Sequence, residues 1–295
     1  MRVTALTLYP VKSLEGVALE ASSLDARGLR GDRRWGLVDA SGSKVTAREV
    51  TALLGLTAEP ADRAQQAEPA HPAQQADPAQ RAGVGGAIRL RDRAGDSIVV
   101  AEPRHATPIL VDHSGQGTAR PAAPEVHEWI SHRVGAELRL VWQDDTSHRP
   151  VRRDRGGRDG DTNSLADAAP ILLTTGSSLG RLNEWLAEAG AAPIDHARFR
   201  PNVVVDGTEP FAEDGWDRIR IGDATFHRTM VCDRCVMTTI DRQTLRTTKE
   251  PIRTLARHRK WDGATWFGIR LAPDLPLPAG ARLRVGDDVR ESGGP

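Results

Sequence analysis

Short runs in which apolar and polar residues alternate, each closed by a turn, dominate the first hundred residues. Residues 3–8, 17–24 and 35–38 read as strands, and Asp39-Ala40-Ser41-Gly42 predicts a hairpin turn before Lys44-Val45-Thr46. A second hairpin is predicted from residues 87–90, a turn at Arg93-Ala94-Gly95-Asp96, and Ile98-Val99-Val100. Such spacing suits a small β-barrel or sandwich. From about Pro121 the period lengthens. Residues 124–135 set Val126, Ile130 and Val134 four apart, as on one helix face, and residues 138–142 return to a strand. Residues 170–174 read as a buried strand, and Thr175-Gly176-Ser177-Ser178 resembles the start of a helix running through Leu182 and Trp185 to Gly190. Further strands are predicted at 202–205, 219–221, 224–231, 236–240, 266–271 and 281–285, with one short helix at 252–258. The fold class is mainly β with a few helices (α+β), in two lobes.

Residues 60–86 follow neither period. They hold a near-repeat, Ala64-Gln65-Gln66-Ala67-Glu68-Pro69 and Ala73-Gln74-Gln75-Ala76-Asp77-Pro78, with too many prolines for a helix and little to bury, so a disordered insertion is expected. The rest of the 295-residue chain, 39% hydrophobic and 27% charged overall, has the balance of a soluble globular protein with a core. No run of about 18 apolar residues occurs and the amino terminus carries no signal pattern, so neither a membrane span nor export is expected, and a cytoplasmic location is.

Forty basic and forty acidic residues cancel, which leaves no global field to attract nucleic acid or a membrane surface. Charge must therefore act by position. The basic side is almost all arginine, with lysine only at Lys12, Lys44, Lys249 and Lys260, and the planar guanidinium fork suits phosphates and carboxylates. Five arginines crowd one turn-rich loop: Arg149, Arg152, Arg153, Arg155 and Arg158.

The only two cysteines stand together in Cys232-Asp233-Arg234-Cys235. A structural zinc site needs two more ligands, and the nine histidines form no compact second pair. A thioredoxin-like motif would open a helix, whereas residues 236–240 are strand formers. Two inert core thiols fit the spacing as well as a functional pair does. Arg234 beside Cys235 favours the thiolate, the form that ligates soft or high-valent metals, so Cys235 is a candidate single ligand. The remaining donors would then belong to a cofactor whose anionic groups need sites elsewhere in the chain.

The stretch 231–244 with Lys249-Glu250-Pro251, together with Phe199-Arg200-Pro201-Asn202-Val203-Val204-Val205, Ala212-Glu213-Asp214-Gly215-Trp216 and Ile221-Gly222-Asp223, resembles the MOSC domain, named for the carboxy-terminal part of molybdenum cofactor sulfurases. Tyr9-Pro10-Val11-Lys12-Ser13, Arg27-Gly28-Leu29, Asp32-Arg33-Arg34-Trp35 and Val45-Thr46-Ala47-Arg48 resemble the β-barrel domain that precedes MOSC in amidoxime reductases such as the mitochondrial amidoxime-reducing component. The resemblance implies an amino-terminal β-barrel domain at 1–118 and a MOSC domain at 119–290 that binds the molybdenum cofactor, a pterin dithiolene. It implies Cys235 as the molybdenum ligand, with Cys232 in a supporting or packing role. Around the cofactor it places Lys12, Ser13 and Arg33 from the first lobe and Arg200, Asn202 and Arg234 from the second. Thr175 and Ser178 join them at a strand-to-helix turn, where free backbone N–H groups can hold phosphate, although such residues are also ordinary caps. Asp167 matches a family aspartate near that turn and stays outside the implied core site.

The implied activity is reduction of N-oxygenated compounds (amidoximes, hydroxylamines, N-oxides) by oxygen-atom abstraction at molybdenum. The alternative is a cofactor carrier or sulfur-transfer protein without turnover; the two lobes fill the length and leave no room for the pyridoxal-phosphate domain of a complete sulfurase. With no cysteines beyond Cys235, the chain holds no cysteine set for an iron–sulfur cluster, so a separate flavoprotein reductase or ferredoxin is expected to donate electrons. The Arg149–Arg158 loop corresponds to an arginine-bearing family loop that would guide substrate or an acidic partner, unless it is simply a solvated loop. One departure stands out. Where the family has an Asp-Pro-x-Thr-Gly turn, this chain has Asp241-Arg242-Gln243-Thr244-Leu245.

Overall fold

The computed structural model of the protein describes residues 1–61, 86–144, 149–207 and 209–292. Apart from its ends, the insertion read at 60–86 lies outside them. The described residues are mainly strands, with three α-helices: α1 (Pro124–Val134), α2 (Gly176–Glu188) and α3 (Ile252–His258).

The largest sheet has nine strands. Its path runs Val17–Leu19, Val3–Leu8, Val203–Val205, Ile171–Thr175, Ala264–Pro273, Ala224–Asp233, Arg218–Ile221 and Val289–Glu291, with Lys260–Trp261 added beside Ala264–Pro273. Ile171–Thr175 and Val203–Val205 pair in parallel, which demands a crossover, and α2 supplies it. The first lobe holds a five-stranded sheet, ordered Ile109–Val111, Gly117–Pro121, Arg139–Trp142, Trp35–Val38 and Lys44–Val45. A three-stranded sheet of Thr57–Pro60, Ile88–Arg91 and Ser97–Val100 packs nearby. α1 starts on Pro124 and stops at Gly135, whose left-handed backbone (φ 69°) caps it, and it buries Val126 and Ile130 as their spacing requires.

Two of the four hydrophobic clusters among the described residues are large, and the chain passes repeatedly between those two. Val3, Leu6, Leu8, Val17 and Leu29 lie in the core under the large sheet, with Ile171, Leu173, Phe226 and Ile269. Val11, Leu14, Trp35 and Leu37 lie in the other, together with Val126, Ile130, Leu140 and Trp142. A division at residue 118/119 therefore does not follow the cores: the first strand serves the second lobe, while α1 and Arg139–Trp142 complete the first. The sequence pattern registers an apolar face but not the core it joins.

Two elements differ from the pattern. Residues 17–24 form two strands, Val17–Leu19 and Ala21–Asp25, each pairing in a different sheet. Residues 236–240, predicted as a strand, instead form a 3-10 turn, Val236–Thr239. The hydroxyl of Thr238 donates to the Cys235 carbonyl at 3.0 Å and that of Thr239 to the Val236 carbonyl at 2.7 Å, satisfying the carbonyls locally and overriding the β-propensity of the run.

Candidate functional site

Four of the crossings between these two cores line one cleft of about 280 Å³. Lys12 and Ser13 stand at the first crossing, between Leu8 and Leu14; Arg33 stands at the second, between Leu29 and Trp35. Residues 149–169 carry the third, between Trp142 and Ile171. Cys235 precedes the fourth, in which Met237 and Ile240 leave the large sheet for the first core. Residues hundreds of positions apart converge because the cleft is the seam between the lobes.

Ten cationic side chains face two carboxylates in this lining, Asp167 and Asp233. A neutral chain thus places ten of its forty basic residues around one concave surface, a shape that focuses their field on an anion. Three of the lining residues, Ser13, Arg33 and Arg200, adopt left-handed backbone conformations with φ of 75°, 47° and 59°. Non-glycine residues occupy that region at a cost, which surrounding contacts must over-determine. For the two arginines those contacts are present. Arg33 N–H donates to the Tyr9 carbonyl at 2.7 Å, its guanidinium donates to Asp32 and to Asn202 Oδ1, and Arg200 Nη2 donates to the Leu14 carbonyl at 2.6 Å. Both guanidinium groups also lie over the buried Tyr9 ring, 4.7 and 4.3 Å from its centroid.

Asn202 is the hub beneath them. Its Nδ2 donates to Asp32 Oδ1 at 2.9 Å and to the Thr7 carbonyl at 3.2 Å, while Oδ1 accepts from Arg33 at 3.0 Å and from Leu172 N–H at 3.2 Å. Its amide is fully employed. Burial raises the Asp32 carboxyl even though Arg33 pulls it down. Elsewhere in the lining, Lys12 Nζ donates to Asp167 Oδ1 at 2.6 Å and to the Leu165 carbonyl at 2.7 Å. Burial brings Lys12 down to about 8 against the pull of Asp167, whereas Lys12 and then Arg48 hold Asp167 well below the usual carboxylate range.

The cysteines diverge. Strand Ala224–Asp233 slips register against Ala264–Pro273 between Val231 and Asp233, so Cys232 is buried while Cys235, past the strand's end, is exposed. Arg234 does not turn to its neighbour Cys235: its Nη1 donates to Cys232 Sγ at 2.8 Å, and Arg270 Nε donates to the same sulfur at 3.2 Å. The cation at Cys235 is Arg48 of the first lobe, whose Nη2 lies 3.3 Å from Sγ and 3.2 Å from Asp167 Oδ2. Among the described residues no three His, Cys, Asp or Glu side chains gather as a metal site, so Cys235 offers a metal one protein donor.

Residues 1–137 match the MOSC N-terminal beta barrel domain, and residues 160–290 match the MOSC domain. The chain belongs to the MOSC family. This MOSC chain is 28% identical, over 97% of its length and 81% of the relative's, to mitochondrial amidoxime-reducing component 1 of Xenopus laevis. Its identity to mitochondrial amidoxime-reducing component 1 of Danio rerio is 30%, over 88% of the chain and 75% of that protein. At 28% identity, 99% of the chain aligns with the molybdenum cofactor sulfurase of Oryza sativa subsp. japonica, of which it spans 36%.

Within the MOSC chain, Lys12, Ser13, Arg33, Arg200, Asn202, Arg234 and Cys235 all line the cleft. Thr175 and Ser178 do not. Thr175 Oγ1 caps α2 by accepting from Ser178 N–H at 3.2 Å, and Ser178 Oγ donates to the buried Glu213 Oε2 at 2.9 Å, which is likewise outside the cleft lining. The cap and the carboxylate use these hydroxyls, which leaves the turn as an α2 terminus. Sequence reasoning did not single out Arg48 or Arg270, and it left Asp167 aside. Arg48 sits in a motif that was recognised; Arg270 lies in an ordinary-looking strand and gave no signal. In the arginine loop, Arg152 and Arg155 reach the cleft edge, while Arg149 is buried and donates to the carbonyls of Ser164 and Ala166. Gly156 (φ 75°) lets this loop lie on the long strand, since a Cβ there would meet the Thr229 carbonyl oxygen at 1.8 Å. No described helix is long and apolar enough to cross a membrane.

Proposed function

We propose that the protein is a molybdenum-cofactor-dependent reductase of N-oxygenated compounds such as amidoximes, hydroxylamines and N-oxides. The observation that carries this reading is an exposed thiol, Cys235, on the wall of a cleft lined by ten cationic side chains, in a MOSC chain similar to amidoxime-reducing components.

The donor set fits a phosphate-bearing pterin dithiolene. Arg234 Nε and Arg198 Nη1 are buried beside the cleft without a hydrogen-bond partner among the described residues, a deficit that an anionic ligand would relieve. Lys12, Arg33, Arg200 and Arg234 would hold the anionic groups, with Ser13 as a hydroxyl donor and Asn202 and Tyr9 fixing the arginines in place. Cys235 would ligate the metal and Cys232 would anchor Arg234. Bound there, the cofactor would supply the two-electron redox chemistry that reduction of an N-oxygenated compound requires.

The chain's own residues then have defined tasks. Lys12, protonated at neutral pH yet brought down to about 8, holds a proton on Nζ next to the Asp167 carboxylate at the cleft wall. Phe199 and Met237 give the lining its apolar part. At the cleft edge, Arg152 and Arg155 support docking of an acidic external electron donor, a flavoprotein reductase or ferredoxin. Two free thiols suit a reducing compartment, which supports a cytoplasmic enzyme. Turnover of benzamidoxime with an artificial electron donor, by protein made in a cofactor-synthesising host, tests the reading. Cofactor binding without turnover of any N-oxygenated compound would favour a carrier instead.

A further inference from the structure

We propose that Arg48 is a positioning residue for the Cys235 sulfur, reaching across the seam from the first lobe to hold and polarise the thiolate that would ligate the metal. The inference rests on the reading above and adds a residue to it. Arg48 stands on a turn that is itself pinned: Thr46 N–H and Oγ1 donate to Glu49 Oε2 at 2.8 and 2.7 Å, and Arg48 N–H donates to Thr46 Oγ1 at 3.3 Å. Its Nη2 carries two N–H groups. One is directed to Cys235 Sγ and the other to Asp167 Oδ2, at 3.3 and 3.2 Å. Asp167 is held in turn by Lys12 at 2.6 Å, so the guanidinium is a link in a chain Lys12, Asp167, Arg48, Cys235.

This arrangement is not the one adjacency suggests. Arg234 is committed to Cys232 and to the Phe199 carbonyl, so among the described residues the hydrogen-bond donor to Cys235 Sγ is Arg48. A cationic N–H on a ligand thiolate withdraws charge from the sulfur, weakens its donation and raises the reduction potential of the metal it binds. Asp167, also in the cleft, keeps the cation from swinging away while leaving its second N–H free for sulfur. The simpler reading is an Arg48–Asp167 ion pair that merely joins the lobes, with the sulfur nearby.

Because the chain has only two cysteines, full-length protein labelled with [13Cβ]cysteine gives two resonances, assigned with Cys232→Ser and Cys235→Ser. Arg48→Ala is expected to move the Cys235 resonance and leave that of Cys232, which attests an intact fold; Arg48→Lys should move it less. In molybdenum-loaded protein, Arg48→Ala should keep its metal, lower the midpoint potential followed by electron paramagnetic resonance, and slow turnover by about 10- to 100-fold, the usual cost of losing such an outer partner. An unmoved Cys235 resonance, or an unchanged potential at equal molybdenum content, overturns the proposal and leaves the reductase reading standing. Wild-type protein that takes up no molybdenum overturns both. Should Arg48→Ala fail to fold, Arg48→Lys and Arg48→Gln replace it, and a Cys235 resonance at the wild-type position in both overturns the proposal.

Discussion

Lys12 and Asp167 meet at 2.6 Å across the seam between the two cores, with the Lys12 side chain 8% exposed and that of Asp167 49% exposed. Burial dominates the lysine and its partners dominate the carboxylate, so the two ends of one ion pair move in the same direction, both downward. Asp167 lines the cleft, where neighbouring cations still govern its carboxylate.

A pH dependence follows from the lysine. Its folded value of about 8 lies below the ordinary 10.5, so the unfolded chain holds the proton more tightly, and this group's contribution to stability rises between about pH 8 and 10.5. Anion holding runs the opposite way: the cation is present below about pH 8 and lost above it. Cofactor retention by wild type should therefore weaken on the alkaline side, and Lys12→Arg, which does not titrate there, should lack that limb. For Asp167 the contribution is present at neutral pH and is lost as pH falls through and below the ordinary carboxylate range. Asp167→Asn should flatten the acid arm of a stability curve.

The two cysteines should separate in thermal melts. Cys232 accepts from two guanidinium groups while buried, and Cys232→Ala strands both donors, at a cost of about 1–3 kcal/mol. Cys232→Ser keeps an acceptor and should lose less. Cys235 is exposed, so Cys235→Ala should change stability by within about 0.5 kcal/mol. Equal destabilisation by the two alanine variants would contradict this division.

Thr175→Ala should cost about 0.5–2 kcal/mol through loss of the α2 cap. Molybdenum content should stay at the wild-type level, because Thr175 lies outside the cleft lining. Loss of metal without loss of stability would return this turn to the site.

Gly156→Ala pushes a Cβ into the Thr229 carbonyl and forces a left-handed alanine. A cost above about 2 kcal/mol is expected, with faster proteolysis of the arginine loop that leads to Arg149 and Arg155. A wild-type melting temperature would show that the loop does not rest on the strand.

Much of this was legible in the residues. Alternation located Val3–Leu8 and Trp35–Val38, four-residue spacing located α1, and Asp39-Ala40-Ser41-Gly42 made its hairpin, because each of these signals is local. Motif resemblance gathered Lys12, Arg33, Arg200 and Cys235, which the fold then brings to one cleft. What stayed hidden is long-range. Nothing in Val236-Met237-Thr238-Thr239-Ile240 announces that its threonine hydroxyls will satisfy carbonyls and turn the chain. Adjacency assigned Arg234 to Cys235, whereas the register slip after Val231 turns Cys232 inward to meet it and leaves Cys235 to Arg48, 187 positions away. Thr175 and Ser178 carry the same residue types whether they hold a phosphate or cap a helix, and only the position of Glu213 decides between the two.

The most direct test is molybdenum and pterin content per chain in wild type, Cys232→Ala and Cys235→Ala, purified from a host that makes the cofactor. Near-stoichiometric metal in wild type, most of it kept by Cys232→Ala and lost from Cys235→Ala, is the expected result. Wild-type protein without molybdenum, or Cys235→Ala that retains it in full, would contradict Cys235 as the ligand and the cleft as the cofactor's site.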